Sequence, residues 1–265
     1  MRINNGGKKV MKKSTIITSV FLLLIMLSVF KVESVGAISG EEVLARVEDA
    51  MKTGEDMQAT EKMTLIDSEG NQEVRKLELY QKGSEKMLMR FLEPADIRGV
   101  GVLLLSENGQ EDIIYLYMPA FRRERRIASH AKNQSFMGTD LSYEDMAQMN
   151  YSDKYKVVNM VENEGSYILT VEPKSDTDIS YSKAEMKVDK NSFLPNEIKY
   201  YEGEKAVKKL SIPFKEKQEK YWVAKKMIVE NLETNHQTIM EILEVKYDQD
   251  LDDRTFTVRN LRRFR

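Results

Sequence analysis

Met57-Gln58-Ala59-Thr60-Glu61-Lys62-Met63-Thr64-Leu65 reads with a period of two. Met57, Ala59, Met63 and Leu65 share one face of a strand, and Gln58, Thr60, Lys62 and Thr64 share the other. A strand with one buried and one solvated face requires this alternation, because successive side chains point to opposite sides. Ser68-Glu69-Gly70-Asn71 then makes a turn, Leu77 and Leu79 belong to a second strand, and Met87, Met89 and Phe91 repeat the pattern. Ala184, Met186 and Val188 alternate with Lys183, Glu185, Lys187 and Asp189. Ile239, Glu241, Leu243, Val245 and Tyr247 read as one face of a last strand, and breaks are expected at Glu164-Gly165, Leu194-Pro195-Asn196, Gly203 and Pro213. Many short strands so spaced predict a mainly β (α+β) chain built on a large antiparallel sheet, curved or partly closed into a barrel.

Two segments break the alternation. Val102-Leu103-Leu104-Leu105 and Ile113-Ile114-Tyr115-Leu116-Tyr117-Met118 are apolar on both faces, so each needs a cover on both sides. The sheet supplies one cover; helices or a bound ligand are expected to supply the other. Helical spacing occurs upstream, where Val43, Leu44, Val47, Ala50 and Met51 predict an amphipathic helix over 40–53. Ser39 and Glu42 form its capping box and Gly54 ends it. A second, short helix is expected over 140–147, capped by Asp140 or Ser142.

The first 37 residues are a leader. Lys8, Lys9, Lys12 and Lys13 precede an apolar run from Ile16 to Phe30, too short for a bilayer span of about 20 residues. Val35-Gly36-Ala37 offers the small residues of a cleavage site, so residues 1–37 read as a signal peptide, or else an uncleaved anchor, and 38–265 as one exported domain. Of the 41 Lys+Arg and 43 Asp+Glu, the part after the leader keeps 35 and 42, a net charge of −7 that argues against nucleic-acid binding. The absence of cysteine excludes disulfides, thiol nucleophiles and cysteine-held metals. His130 and His236 stand without a spaced partner, so neither a metal site nor a Ser-His-Asp hydrolase is expected. Gly99-Val100-Gly101 begins like a dinucleotide loop, yet Leu104 stands at the third glycine position. No cofactor and no enzymatic chemistry are expected.

Two features point to binding. Thirteen of the 16 methionines follow the leader, and flexible thioethers suit a pocket for acyl chains; Met57, Met63, Met87 and Met89 fall on expected inward faces. Arg122, Arg123, Arg125 and Arg126 directly follow the two-faced strand, either as a charged edge that deters sheet-to-sheet pairing or as phosphate ligands for an anionic head group or partner.

The chain from about residue 39 resembles the LolA-like outer-membrane lipoprotein-sorting protein family. The matching stretches are Leu92-Glu93-Pro94-Ala95-Asp96-Ile97-Arg98-Gly99, Tyr117-Met118-Pro119-Ala120-Phe121-Arg122-Arg123 and Ser135-Phe136-Met137-Gly138-Thr139-Asp140-Leu141-Ser142-Tyr143-Glu144-Asp145. Leu194-Pro195, Trp222 and Leu251-Asp252-Asp253-x-x-Phe256 follow in order. The resemblance implies an incompletely closed antiparallel β-barrel, covered on its concave face by a few short helices, that carries acyl chains of lipoproteins or lipids through an extracytoplasmic compartment such as a periplasm. The expected lining and lid then include Ile114, Leu116, Met118, Phe136 and Tyr143 beside the four methionines. Expected partners are the acyl chains and a membrane transporter or acceptor protein. A sensor or adaptor of the same fold, acting with a membrane regulator or lipid-export pump, is the alternative.

Overall fold

The computed structural model describes residues 1, 38–52, 54–106, 111–147, 151–175 and 177–263. The chain divides into Met1–Ile38 and Ser39–Arg265. The basic leader and its apolar run lie outside the described residues; the β structure belongs to the second unit. Among the described residues no helix is long and apolar enough to cross a membrane.

The second unit opens with α1 (Gly40–Lys52), whose first turn is capped by Ser39 Oγ accepting from the Glu42 amide at 3.1 Å. Six strands follow: β1 (Asp56–Ile66), β2 (Gln72–Lys82), β3 (Lys86–Glu93), β4 (Gly101–Leu105), β5 (Ile113–Met118) and β6 (Arg123–Arg126). Residues 127–154 contain α2 (Tyr143–Met146) and α3 (Tyr151–Lys154). Then come β7 (Tyr155–Glu162), β8 (Ser166–Pro173), β9 (Lys183–Asp189), β10 (Pro195–Glu202), β11 (Lys205–Gln218), β12 (Tyr221–Asn231) and β13 (Gln237–Tyr247), and a C-terminal segment ending in α4 (Val258–Leu261).

The thirteen strands form one antiparallel sheet in the order β6-β5-β4-β3-β2-β1-β13-β12-β11-β10-β9-β8-β7. Every neighbour but one is a sequence neighbour; the exception, β1 against β13, joins the first strand to the last. The two free edges, β6 and β7, are consecutive in the chain, so residues 127–154 link the edges of the open sheet. The sheet is curved. Side chains of β3 and β10 border one cavity, yet six inter-strand steps separate them, about 29 Å if the sheet were flat. α1, α2 and α3 also contribute to that cavity and therefore cover the concave face.

Two strands depart from the expected phase. Thr60 pairs with Glu244 but Glu61 pairs with Ile242, so Leu243 is a bulge residue on β13. The bulge switches the inward face from Met240 and Ile242 to Val245 and Tyr247, leaving Leu243 exposed. Ile239, Glu241 and Leu243 therefore do not share a face with Val245 and Tyr247. Pro213, expected to end a strand, lies inside β11 at a register shift between Ser211 and Phe214, where no ladder donor is required of it.

The outer cover of the two-faced strands is the chain's own C-terminus. Leu88 of β3 and Leu103 of β4 pack with Phe256 and Leu261 in a buried cluster, flanked by Tyr80, Leu105, Tyr115, Tyr117, Leu251 and Val258. Asp252 caps the turn that presents Phe256, accepting from the Arg254 amide at 2.8 Å. Gly101 admits α4 at close range: a Cβ there would lie 2.9 Å from Leu261 Cδ1 and 3.1 Å from the Met89 carbonyl oxygen. This glycine serves packing in a sheet; no phosphate loop is formed.

Candidate functional site

The linker from β6 to β7 is fastened across the concave face by polar bonds at both ends and in the middle. Phe136 is fully buried, stacked on Phe91 of β3 with ring centroids 5.8 Å apart, and Tyr143 meets it edge-on at 5.7 Å. Met137 and Gly138 both take left-handed backbone angles in a tight turn, and Arg75 of β2 donates to the Met137 carbonyl at 2.7 Å. Asp140 does not cap a helix; its carboxylate accepts from Thr238 of β13 at 2.7 Å and meets His236 Nδ1 at 2.7 Å. Ser142 is the cap of α2, in a reciprocal box with Asp145. Asp145 also accepts from the Tyr181 hydroxyl at 3.0 Å and pairs with Lys208 of β11. Burial, reinforced by the Asp145 carboxylate, holds the Tyr181 phenol well above its ordinary range. Farther along, Ser152 donates to Glu48 of α1, which is also paired with Lys52 at 2.6 Å.

Two cavities, of about 210 Å³ and about 160 Å³, adjoin on the concave face; the linker borders the larger, and α1 borders both. The larger is bordered by Leu79, Met87 and Met89 on one side, Tyr200, Lys208 and Leu210 on the other, and Met146 and Tyr151 from the linker. The smaller is bordered by Met57, Leu194, Ile212, Trp222, Val223 and Tyr247, among others. Met51, Glu61, Met227 and Met240 border both. Seven methionines thus line the pair, and unbranched side chains can rearrange around an irregular apolar guest.

Glu61 is the exception in this lining. It occupies the same face of β1 as Met57, Ala59 and Met63, opposite the bulge in β13, and is 8% exposed. Burial alone pushes its carboxyl up to about 7.

Of the residues singled out in the sequence, Met57 borders the smaller cavity and Met87 and Met89 the larger. Met63 lies fully buried on the same inward face, opposite Met240, without bordering either. Ile114 and Leu116 share the inward face of Met87 and Met89 through β4 but are packed farther toward the edge, outside the cavity walls, as are Met118, Phe136 and Tyr143. The four arginines are exposed but do not form one patch. Arg123 and Arg125 pair with Met118 and Leu116 on one side of edge strand β6, Arg126 pairs with Tyr115 on the other, and Arg122 stands in the preceding turn with φ 52°. Met227, Met240, Leu210 and Glu61 had no distinguishing signal: β11 and β13 carry bulges that shift their inward phase, and a glutamate in an alternating strand reads as solvated. Among the described residues no group of three or more His, Asp or Glu side chains is arranged to hold a metal ion.

A family model described as an uncharacterized-protein-like family matches residues 83–263. No curated protein matches the chain. Among solved structures, it is similar to a DUF1329 family protein from Desulfovibrio piger, at 29% identity, TM-score 0.77, covering 84% of this chain and 97% of that one. An outer membrane lipoprotein-sorting protein domain from Vibrio parahaemolyticus matches at 27% identity and TM-score 0.75, covering 84% and 98%. A LolA superfamily protein from Nitrosomonas europaea shares the fold at 17% identity and TM-score 0.68, covering 83% and 98%.

Proposed function

The chain belongs to a LolA-like lipoprotein-sorting family, and from that premise we propose that it is a non-enzymatic extracytoplasmic carrier that holds the acyl chains of a lipoprotein or lipid beneath the 127–154 linker. The observation that supports this most is the pair of adjoining cavities lined by seven methionines on the concave face. Burial of each CH₂ is worth about 0.8 kcal/mol, so a chain of roughly 14 carbons offers about 10 kcal/mol gross, enough for retention without a covalent bond. At about 210 Å³ the larger cavity is below the roughly 300 Å³ of an ordinary ligand site, so loading requires the methionines and the linker to move apart. Acceptance of the chain by a membrane or a partner protein reverses the same motion.

Native mass spectrometry of the protein purified from its host, followed by organic extraction, tests the carrier reading. A discrete bound lipid or acylated peptide is expected; a clean unliganded mass that stays unchanged after incubation with host lipids contradicts it. A docking role with a membrane regulator or pump, the second reading, is favoured by edge strand β6, whose exposed arginines form no salt bridge among the described residues. Recovery of one stoichiometric membrane partner, with no lipid carried, would support it.

A further inference from the structure

Four charged side chains border the two cavities: Lys52, Glu61, Asp145 and Lys208. Three are satisfied within the protein. Lys52 pairs with Glu48, and Lys208 pairs with Asp145 and donates to the Tyr181 hydroxyl at 2.6 Å. Glu61 has no hydrogen-bond or ion-pair partner among the described residues, although it is more than nine-tenths buried and placed in the walls of both cavities. A carboxylate withdrawn from water among methionine, leucine and valine side chains is unfavourable unless something pairs with it. It persists at a position where an alternating strand would otherwise place an apolar residue, as Met57, Ala59 and Met63 are placed on the same face. The bulge at Leu243 lies directly across from it, a distortion that re-aims side chains beside binding sites.

We propose that Glu61 is the polar anchor of the cavity, and that the ligand it selects is a long-chain amphiphile bearing a protonated amine. This rests on the carrier reading and names the chemical class of its cargo. An ionised carboxylate only accepts hydrogen bonds, so its complement must donate, and an ammonium group donates while cancelling the charge. The group stands where the two cavities adjoin, so apolar volume is available on either side of a head held there. A carboxylate or phosphate head in the same place would set two negative charges together in an apolar site. Burial has brought the Glu61 carboxyl up to about 7, so a cation beside it would draw it into the ionised form.

The test measures binding of tetradecylamine, tetradecanol and myristate to the purified protein, each below its micelle-forming concentration, for wild type and Glu61→Gln. Tetradecylamine should bind wild type most tightly and lose roughly 10- to 150-fold on Glu61→Gln, the span of a lost charge-assisted hydrogen bond. Tetradecanol should change by less than about threefold, and myristate should bind the variant no more weakly than wild type. Glu61→Leu, which also removes the buried charge and keeps an apolar wall, should reproduce the loss for the amine. Equal affinity for all three ligands, indifferent to both substitutions, overturns the anchor while leaving the carrier intact. No binding of any of the three to wild type overturns both.

Discussion

Strands β3 to β5 bury apolar side chains on both faces, and the two faces are completed in different ways. On the convex side, Leu88 and Leu103 are sealed by Phe256 and Leu261 of the same chain. On the concave side, Met87 and Met89 of the same strand β3 border a cavity that Glu61 of β1 also borders. Interdigitated leucine and phenylalanine define a single packing; methionine and residual volume leave several open. The difference separates a face built for stability from one built to admit a guest, although in β4 and β5 both read in sequence as surplus hydrophobicity.

The largest expected effect is on the sealed side. Phe256→Ala should lower unfolding free energy by about 4 kcal/mol, read from urea midpoints, because it empties a packed cluster, and should leave amphiphile binding within about twofold. Equal losses of stability and binding would erase the distinction between the faces. Next comes Glu61. With its folded carboxyl at about 7 and its ordinary value 4.5, the folded state holds the extra proton between those values, so its contribution to stability falls as pH rises through that window. Glu61→Gln should therefore gain up to about 3 kcal/mol at pH 8 and nearly nothing at pH 4, compared with wild type at each pH. Lys52, Asp145 and Lys208, the other charged groups facing the cavities, are common to both proteins and cancel in that difference. The same gain at both pH values would mean that ionisation is not its source. Met240→Leu, which keeps volume but stiffens the wall, should cost less than about 1.5 kcal/mol in stability while narrowing the range of chain lengths bound. Smallest of all, Arg126→Ala on the exposed edge should shift stability by no more than about 0.5 kcal/mol.

Much of this architecture was legible because a strand's period is short and strict. Alternation in Met57–Leu65 and Lys183–Asp189 placed their faces, and the doubly apolar Val102–Leu105 and Ile113–Met118 announced the need for two covers. That one cover is the C-terminal segment was not legible, since nothing in Phe256 or Leu261 names Leu88 and Leu103 as partners across more than 150 residues. Bulges hid the rest. One extra residue at Leu243 reverses every later side chain of β13, and Pro213 is tolerated within β11 only because the ladder shifts there. Glu61 is not legible for a physical reason: a glutamate in an alternating strand reads as solvated, and a buried, unpaired carboxylate is the costly state.

In the proposed carrier the concave cavity holds an apolar chain. Leu79 borders that cavity, and Leu79→Trp would fill it, whereas Tyr115→Trp enlarges a side chain on the sealed convex face. Calorimetric titration with tetradecanol should show affinity falling by more than tenfold for folded Leu79→Trp and staying near wild type for Tyr115→Trp. Undiminished binding by folded Leu79→Trp would place the chain outside the concave cavity.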